Sequence, residues 1–117
     1  MSIKNLTQHK PTQEQIDGNG NVTGIDDAAI ALLNFSAPPS VEEINERAVA
    51  LAALAVGFES AMIGGAPYLM GPLVAALKAA GVQPIFSFTE RKSVEEAQPD
   101  GSVKKSSVFA HVAWVAV

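Results

Sequence analysis

Few residues of this 117-residue chain could do chemistry, and they fall in four places. His9 ends a short β-capable stretch, Ile3 to Gln8. Histidine changes charge near neutral pH, so His9 could serve as a general acid or base, or donate a hydrogen bond to a phosphate. The plainer alternative is an exposed loop histidine. Thr12 and Gln15 follow at capping-box spacing, which explains both, so any contact they make to a ligand would be additional. Gly64 and Gly65 lie between an apolar run, Ala61-Met62-Ile63, and a helical pattern. A glycine turn from strand to helix lets an anion approach the backbone and the first free amides of the helix. Tight strand-to-helix packing would use the same glycines, and the stretch is neither a phosphate loop nor a dinucleotide fingerprint.

Tyr68, the sole tyrosine, sits just after those glycines, where it could stack on a base or bond a ribose, or simply pack into the core. Arg91 and Lys92 could neutralise a phosphate, Arg91 through its two-pronged guanidinium, with surface solubility as the alternative. Lys104 and Lys105 read as a solvated hairpin face. His111 lies in an apolar run, where a satisfied core or interface histidine is commoner than a catalyst. Trp114 reads as core or dimer interface.

Other chemistries are poorly served. Two histidines far apart, with no His-x-x-x-His or Glu-x-x-His pair, make a poor metal site, and no cofactor is implied. No G-x-S-x-G elbow supports a Ser–His–Asp hydrolase. The absence of cysteine removes disulfides, zinc–thiolate sites and thiol nucleophiles. A net charge of −4 argues against a long nucleic-acid footprint, though not against a small anion held by a few donors. No apolar run approaches the ~20 residues of a membrane span, and the N-terminus lacks the apolar core of a signal peptide. The expectation is a cytoplasmic protein of one domain, residues 1–117.

These residues need elements to position them. Ile3 to Gln8 reads as a strand, followed by a brief helix capped by Thr12 and a turn cluster over Asp17 to Asn21. Asp26 can cap a short helix to Leu33, although Ile30 to Phe35 could equally be a strand. Ser40 and Glu43 form a second capping box. The helix it opens has Ile44, Ala48, Leu51, Ala55 and Phe58 on one face, and should reach about Val56 and stop at Gly57. The helix after Gly65 has Pro67 suited to its first position but is challenged by Pro72, so its regular part could begin only at Gly71-Pro72. It ends at Gly81. Val82 to Thr89 reads as a strand. The turn Gln98-Pro99-Asp100-Gly101 separates Ser93–Ala97 from Ser102–Ser107, and Val108 to Val115 reads as the last strand.

Strands separated by helices imply right-handed parallel crossovers. The fold expected is a compact Rossmann-like α/β sandwich, mainly parallel, extended by a C-terminal antiparallel β-hairpin. In such sheets ligands sit beyond the carboxyl ends of the strands. His9, Gly64-Gly65 and Arg91-Lys92 each follow a strand on this reading, so the three converge.

The opening NLTQHKPTQEQ resembles the strand-His-x-x-Thr-x-x-Gln start of small CRISPR-associated proteins considered ring nucleases. IGGAPYLMGPL, PIFSFTERKSVEE, DGSVKK and VFAHVAW resemble the layout of those Rossmann-like domains that bind cyclic oligoadenylate, and of proteins carried by prophages and other mobile elements. That resemblance implies a homodimer holding a cyclic nucleotide of antiviral defence across its two-fold axis. Cleavage in ring nucleases needs no metal or redox cofactor: a ribose 2′-OH attacks the adjacent phosphate and leaves a cyclic phosphate. On matching positions His9 would be the acid or base, Gly64 and Gly65 would cradle phosphate, and Arg91 would stabilise charge. The few basic residues bear on cleavage more than on binding. Two readings compete with this one. The first is a non-catalytic interaction module, such as a phage-encoded inhibitor, whose hairpin and last strand add to a partner's sheet. The second is a small enzyme that uses the glycine turn for a mononucleotide.

Overall fold

The computed structural model describes residues 2–13, 15, 16 and 21–117, and for 21, 92, 94 and 107–109 the backbone alone. It is a mixed α/β fold with one five-stranded sheet. In chain order the elements are β1 (Ser2–Leu6), β2 (Asn21–Val22), α1 (Asp27–Leu33), α2 (Val41–Leu54), β3 (Ser60–Ile63), α3 (Pro67–Ala79), β4 (Gln83–Ala97) and β5 (Val103–Ala116). The strand order is β2-β1-β3-β4-β5; the first four run parallel, and β5 closes the sheet antiparallel to β4. The expected architecture is therefore present: a mainly parallel sheet with a C-terminal antiparallel hairpin.

The topology places the helices. From β2 the chain crosses over β1 to reach β3 and then β4, always in one direction, so right-handed crossovers lay α1, α2 and α3 on one face. Their core joins Leu33, Leu51, Leu69, Leu73 and Leu77 to Leu6, Ala61 and Ile63 of the sheet. Side chains alternate along a strand, so Ile3, Met62 and Ile85 point the other way, where Val22 and Trp114 pack against them. The link from β1 to β2 is described at residues 7–13, 15 and 16. It contributes a helical turn after Thr12 whose capping box is closed. The Thr12 amide donates to Gln15 Oε1 (2.9 Å) and the Gln15 amide to Thr12 Oγ1 (3.2 Å). The expected turn cluster over 17–20 lies outside the described residues.

Local signals explain most element ends. Ser40 Oγ accepts from the Glu43 amide at 3.1 Å and starts α2, whose buried residues are Ala48, Leu51 and Ala52. Asp26 caps α1 through the Ala28 amide (2.9 Å) and also pairs with Lys4 at 2.8 Å. The Lys4 ammonium, with the Ala28 amide, holds the Asp26 carboxyl below its usual range. Arg47 ties α2 to the end of α1. Its guanidinium donates to the carbonyls of Leu32 (3.3 Å) and Asn34, pairs with Glu43 at 2.9 Å, and lies over the Phe35 ring.

Several sequence expectations need correction. Residues Asp27–Leu33 form the helix expected after Asp26, and it is the strand alternative over Ile30 to Phe35 that is not adopted, because the Asp26 cap starts the turn and Ala29 and Leu33 share its buried face. The third helix starts at Pro67 and passes straight through Pro72. Pro72 withholds one donor from the Tyr68 carbonyl, but this first turn is exposed at Pro67, Tyr68 and Gly71, so water can serve that carbonyl. The two-residue strand β2 carries no alternating pattern and was not anticipated.

The largest difference lies in the hairpin. The segments expected separately over Val82–Thr89, Ser93–Ala97, Ser102–Ser107 and Val108–Val115 are two continuous strands of 15 and 14 residues. Only Gln83 to Ile85 of β4 pair with β3, so from Thr89↔His111 to Ala97↔Val103 the hairpin is a two-stranded arm with no third strand among the described residues. The arm stretches the molecule to 57 × 35 × 23 Å and its radius of gyration to 16.9 Å. A compact chain of this length would measure about 13 Å. Its tip is the expected turn, closed by the Gln98 amide to Ser102 O (2.7 Å) and the Gly101 amide to Gln98 O (3.0 Å). No helix among the described residues is long and apolar enough to cross a membrane.

Candidate functional site

Because β2 lies on one side of β1 and β3 on the other, the chain leaves the ends of β1 and β3 in opposite directions, and a crevice opens between them. A cavity of about 530 Å³ occupies that position. The segment after β1 supplies Thr7 to Lys10 together with Thr12 and Gln15. The end of β3 supplies Met62 to Gly65, and β4 supplies Phe86, Ser87 and Thr89.

The wall from β1 is built by Asn5, which is fully buried. Its Oδ1 accepts from the Thr7 amide (2.9 Å) and hydroxyl (2.7 Å), and its Nδ2 donates to the His9 carbonyl (2.8 Å). A buried amide with these bonds satisfied fixes the path of the loop, and the His9 side chain stands exposed at the cavity rim. Gln15 is buried at the cavity through its capping bond to Thr12. At the β3 end, Gly65 has φ +151°, a conformation that favours glycine. Gly64 has an ordinary φ; a Cβ there would lie 3.7 Å from Thr7 Cγ2, so its missing side chain leaves space at the cavity wall. The following helix has no side-chain cap.

The wall from β4 holds a polar pair. Ser87 Oγ and His111 Nδ1 are 2.5 Å apart, and the His111 ring packs against Trp114 with centroids at 4.4 Å. The Trp114 indole N–H is buried without a hydrogen-bond partner among the described residues. A β-bulge lies between Phe88 and Thr89, where the partners step from Ala113 to His111.

The structure thus brings together His9, Thr12, Gln15, Gly64 and Gly65 at one cavity. Tyr68 is elsewhere: it meets Phe35 edge-to-face at 5.3 Å and lines a separate hollow with Pro38, Pro39 and Ile44. Arg91 lies exposed on the arm, opposite Phe109 and outside the cavity lining. It does so because β4 continues past Thr89, so the convergence expected of a third strand end does not form. Lys92 is beside it in the strand, and its side chain lies outside the described residues. In their place β4 brings Ser87 and Thr89, which the sequence reading passed over. Alternation from Ile85 would have put Ser87 on the second face, but its nearness to His111 depends on a bulge with no sequence signal. Among the described residues no group of three histidine, aspartate or glutamate side chains could hold a metal ion.

The chain belongs to the Uncharacterized protein MJ1673 family, whose model matches residues 1–115. No curated protein and no solved structure matches it.

Proposed function

We propose that the cavity between the ends of β1, β3 and β4 binds a small phosphate-bearing nucleotide, and that this ligand is a cyclic oligoadenylate signal of antiviral defence. The observation that carries the reading is the position of the cavity at the switch point of the sheet, the crevice where open α/β sheets take ligands. Its lining fits the ligand class. His9 and Lys10 offer donors at the rim, Gly64 and Gly65 let a phosphate approach the backbone, and Phe86 and Met62 give apolar surface to a base. The motif resemblance narrows the ligand from nucleotide to cyclic oligoadenylate, and a ring of two-fold symmetry would engage two copies of the chain. In the cytoplasm such a protein would act as a sensor or sponge if it only binds, and as a ring nuclease if it also opens the ring.

Calorimetric titration with cyclic di-, tri-, tetra- and hexa-adenylate tests this. Saturable binding should disappear in Gly64→Glu, which puts a carboxylate in the cavity, and survive in Arg91→Ala. Loss of binding in Arg91→Ala with none in Gly64→Glu would move the site onto the arm. No binding of any cyclic nucleotide by the wild type overturns the reading.

One observation favours a second reading. The outer edge of β5 is 14 residues long, with Val103, Val112 and Val115 exposed, and a long apolar edge is a template for another strand. In that case the chain is an interaction module that adds β5 to a partner's sheet. A stoichiometric complex abolished by Val112→Pro, from a protein that binds no nucleotide, would establish it.

A further inference from the structure

The bulge in the hairpin decides what faces the cavity. In a regular antiparallel ladder continued from Ser87↔Trp114 and Phe88↔Ala113, Thr89 would pair with Val112 and Glu90 with His111. Side chains alternate, so His111 would then share a face with Phe88, away from Ser87. Instead Val112 is the extra residue, and His111 pairs with Thr89. Thr89 and Ser87 are two residues apart on one strand and both line the cavity, so His111 comes to the face that they share. One added residue brings an imidazole to a hydroxyl at a cavity wall.

We propose that Ser87 is a nucleophile of this cavity, with His111 as its general base, and that the pair acts on a phosphodiester. The assignment to a phosphodiester rests on the nucleotide reading above; the nucleophile does not. A serine hydroxyl is weakly nucleophilic until an adjacent base can take its proton, and the arrangement required is hydroxyl to base within hydrogen-bond reach with the base itself held in place. Ser87 Oγ contacts His111 Nδ1, and Trp114 packs against the ring. Ser87 alone of the pair is at the cavity surface, as a nucleophile with its base behind it must be. Gly64 and Gly65 line the same cavity, so the backbone at the β3 end borders the space in which phosphate charge would develop.

The step balances as follows. His111 Nδ1 takes the Ser87 hydroxyl proton as Oγ bonds to phosphorus. The phosphorus–oxygen bond to one ribose breaks, and that ribose oxygen takes the proton from the imidazolium. The opened ligand is now esterified to Ser87. Water attacks the same phosphorus with His111 as base, the bond to Oγ breaks, and Oγ recovers the proton. One water is consumed, and the product is a linear nucleotide with a terminal phosphate and a free hydroxyl. This differs from 2′-OH attack, which leaves a cyclic phosphate.

The chain has no cysteine, so Ser87→Cys introduces a single thiol. Its alkylation by iodoacetamide at pH 7 should be about tenfold or more faster than in Ser87→Cys/His111→Gln, because an adjacent imidazolium stabilises the thiolate. Equal rates in the two variants, both folded by circular dichroism, overturn the proposal and reduce the pair to a structural contact. Wild-type protein treated with a fluorophosphonate probe should carry the label on the peptide containing Ser87, with loss in Ser87→Ala and at least tenfold less in His111→Gln. Absence of label on that peptide counts against the nucleophile. Cyclic tetra-adenylate should protect Ser87 from the probe and be opened without a cyclic-phosphate product. Labelling that the nucleotide neither blocks nor slows leaves Ser87 as a nucleophile but removes phosphodiesters as its substrate, and so separates this proposal from the reading of the cavity.

Discussion

The helix-backed body and the hairpin arm are built from the same chain on opposite terms. In the body, β1 and β3 are covered on both faces: Ile3, Leu6, Ala61, Met62 and Ile63 are all buried, and three helices close one side. In the arm, the β4 residues from Thr89 onward whose side chains are described are exposed through Ala97, and among the described residues the ladder pairs only across the two strands. An isolated two-stranded hairpin is marginal in water, so the arm must draw its order from the junction with the body. The cavity sits at that junction, with rigid strand ends on two sides and the root of a freer ribbon on the third. The body supplies fixed walls, and the arm brings in the one wall whose geometry depends on a bulge.

This contrast breaks if a core substitution in the body costs no more than one in the arm. Leu73→Ala removes a fully buried side chain and should destabilise by about 3 kcal/mol in urea unfolding. Its amide-exchange signature should be global in the body, while arm amides already exchange quickly in the wild type.

Asp26→Ala should come next, at about 1 kcal/mol, since it removes the α1 cap as well as the pair with Lys4. This effect depends on pH. A carboxyl whose folded pKa is depressed contributes its stability above the unfolded value and loses it as pH falls through the folded value. The gap between wild type and Asp26→Ala should therefore be full at pH 7 and narrow below about pH 4. A gap that stays constant down to pH 2 would mean that the carboxylate acts by shape alone.

The smallest effect sharpens the comparison from the other side. Glu95 and Lys105 face each other at 3.9 Å on the exposed arm. Glu95→Gln should change stability by less than about 0.5 kcal/mol, and less still in 1 M salt. A larger loss would show the arm to be a cooperative part of the core.

What could be read from sequence follows the same division. The helices declare themselves in side chains that bond to nearby backbone: Ser40 with Glu43, Asp26 with Ala28, Thr12 with Gln15. Such caps are local, and a local cause leaves a local pattern. The β1 and β3 ends of the cavity were legible for that reason, because the exits from β1 shortly before His9 and from β3 at Gly64-Gly65 follow from turn chemistry. The β4 wall was not. Whether a strand stops at Thr89 or runs on to Ala97 depends on whether distant residues, Val103 to His111, pair with it. Arg91 and Lys92 were expected at a strand end and instead lie within a strand for this reason. Ser87 and His111, far apart in sequence, meet only once that pairing and its bulge exist. Pro72 misleads in the opposite direction: its rule is local and sound, but an exposed first turn makes the lost donor cheap.

The bulge can be restated as a matter of parity. Between the Ser87–Trp114 rung and the Thr89–His111 rung, β4 takes two steps and β5 takes three. Odd against even is what fixes which side of the ribbon each later residue shows. One residue inserted between Phe88 and Thr89 would restore equal counts, and every position of β5 from His111 to the tip would exchange faces relative to Ser87. No cavity residue would have changed identity, yet the hydroxyl would face no imidazole. Insertions and deletions in this hairpin therefore act as a two-state code, in which the count of residues, more than their kind, sets what the cavity wall can do.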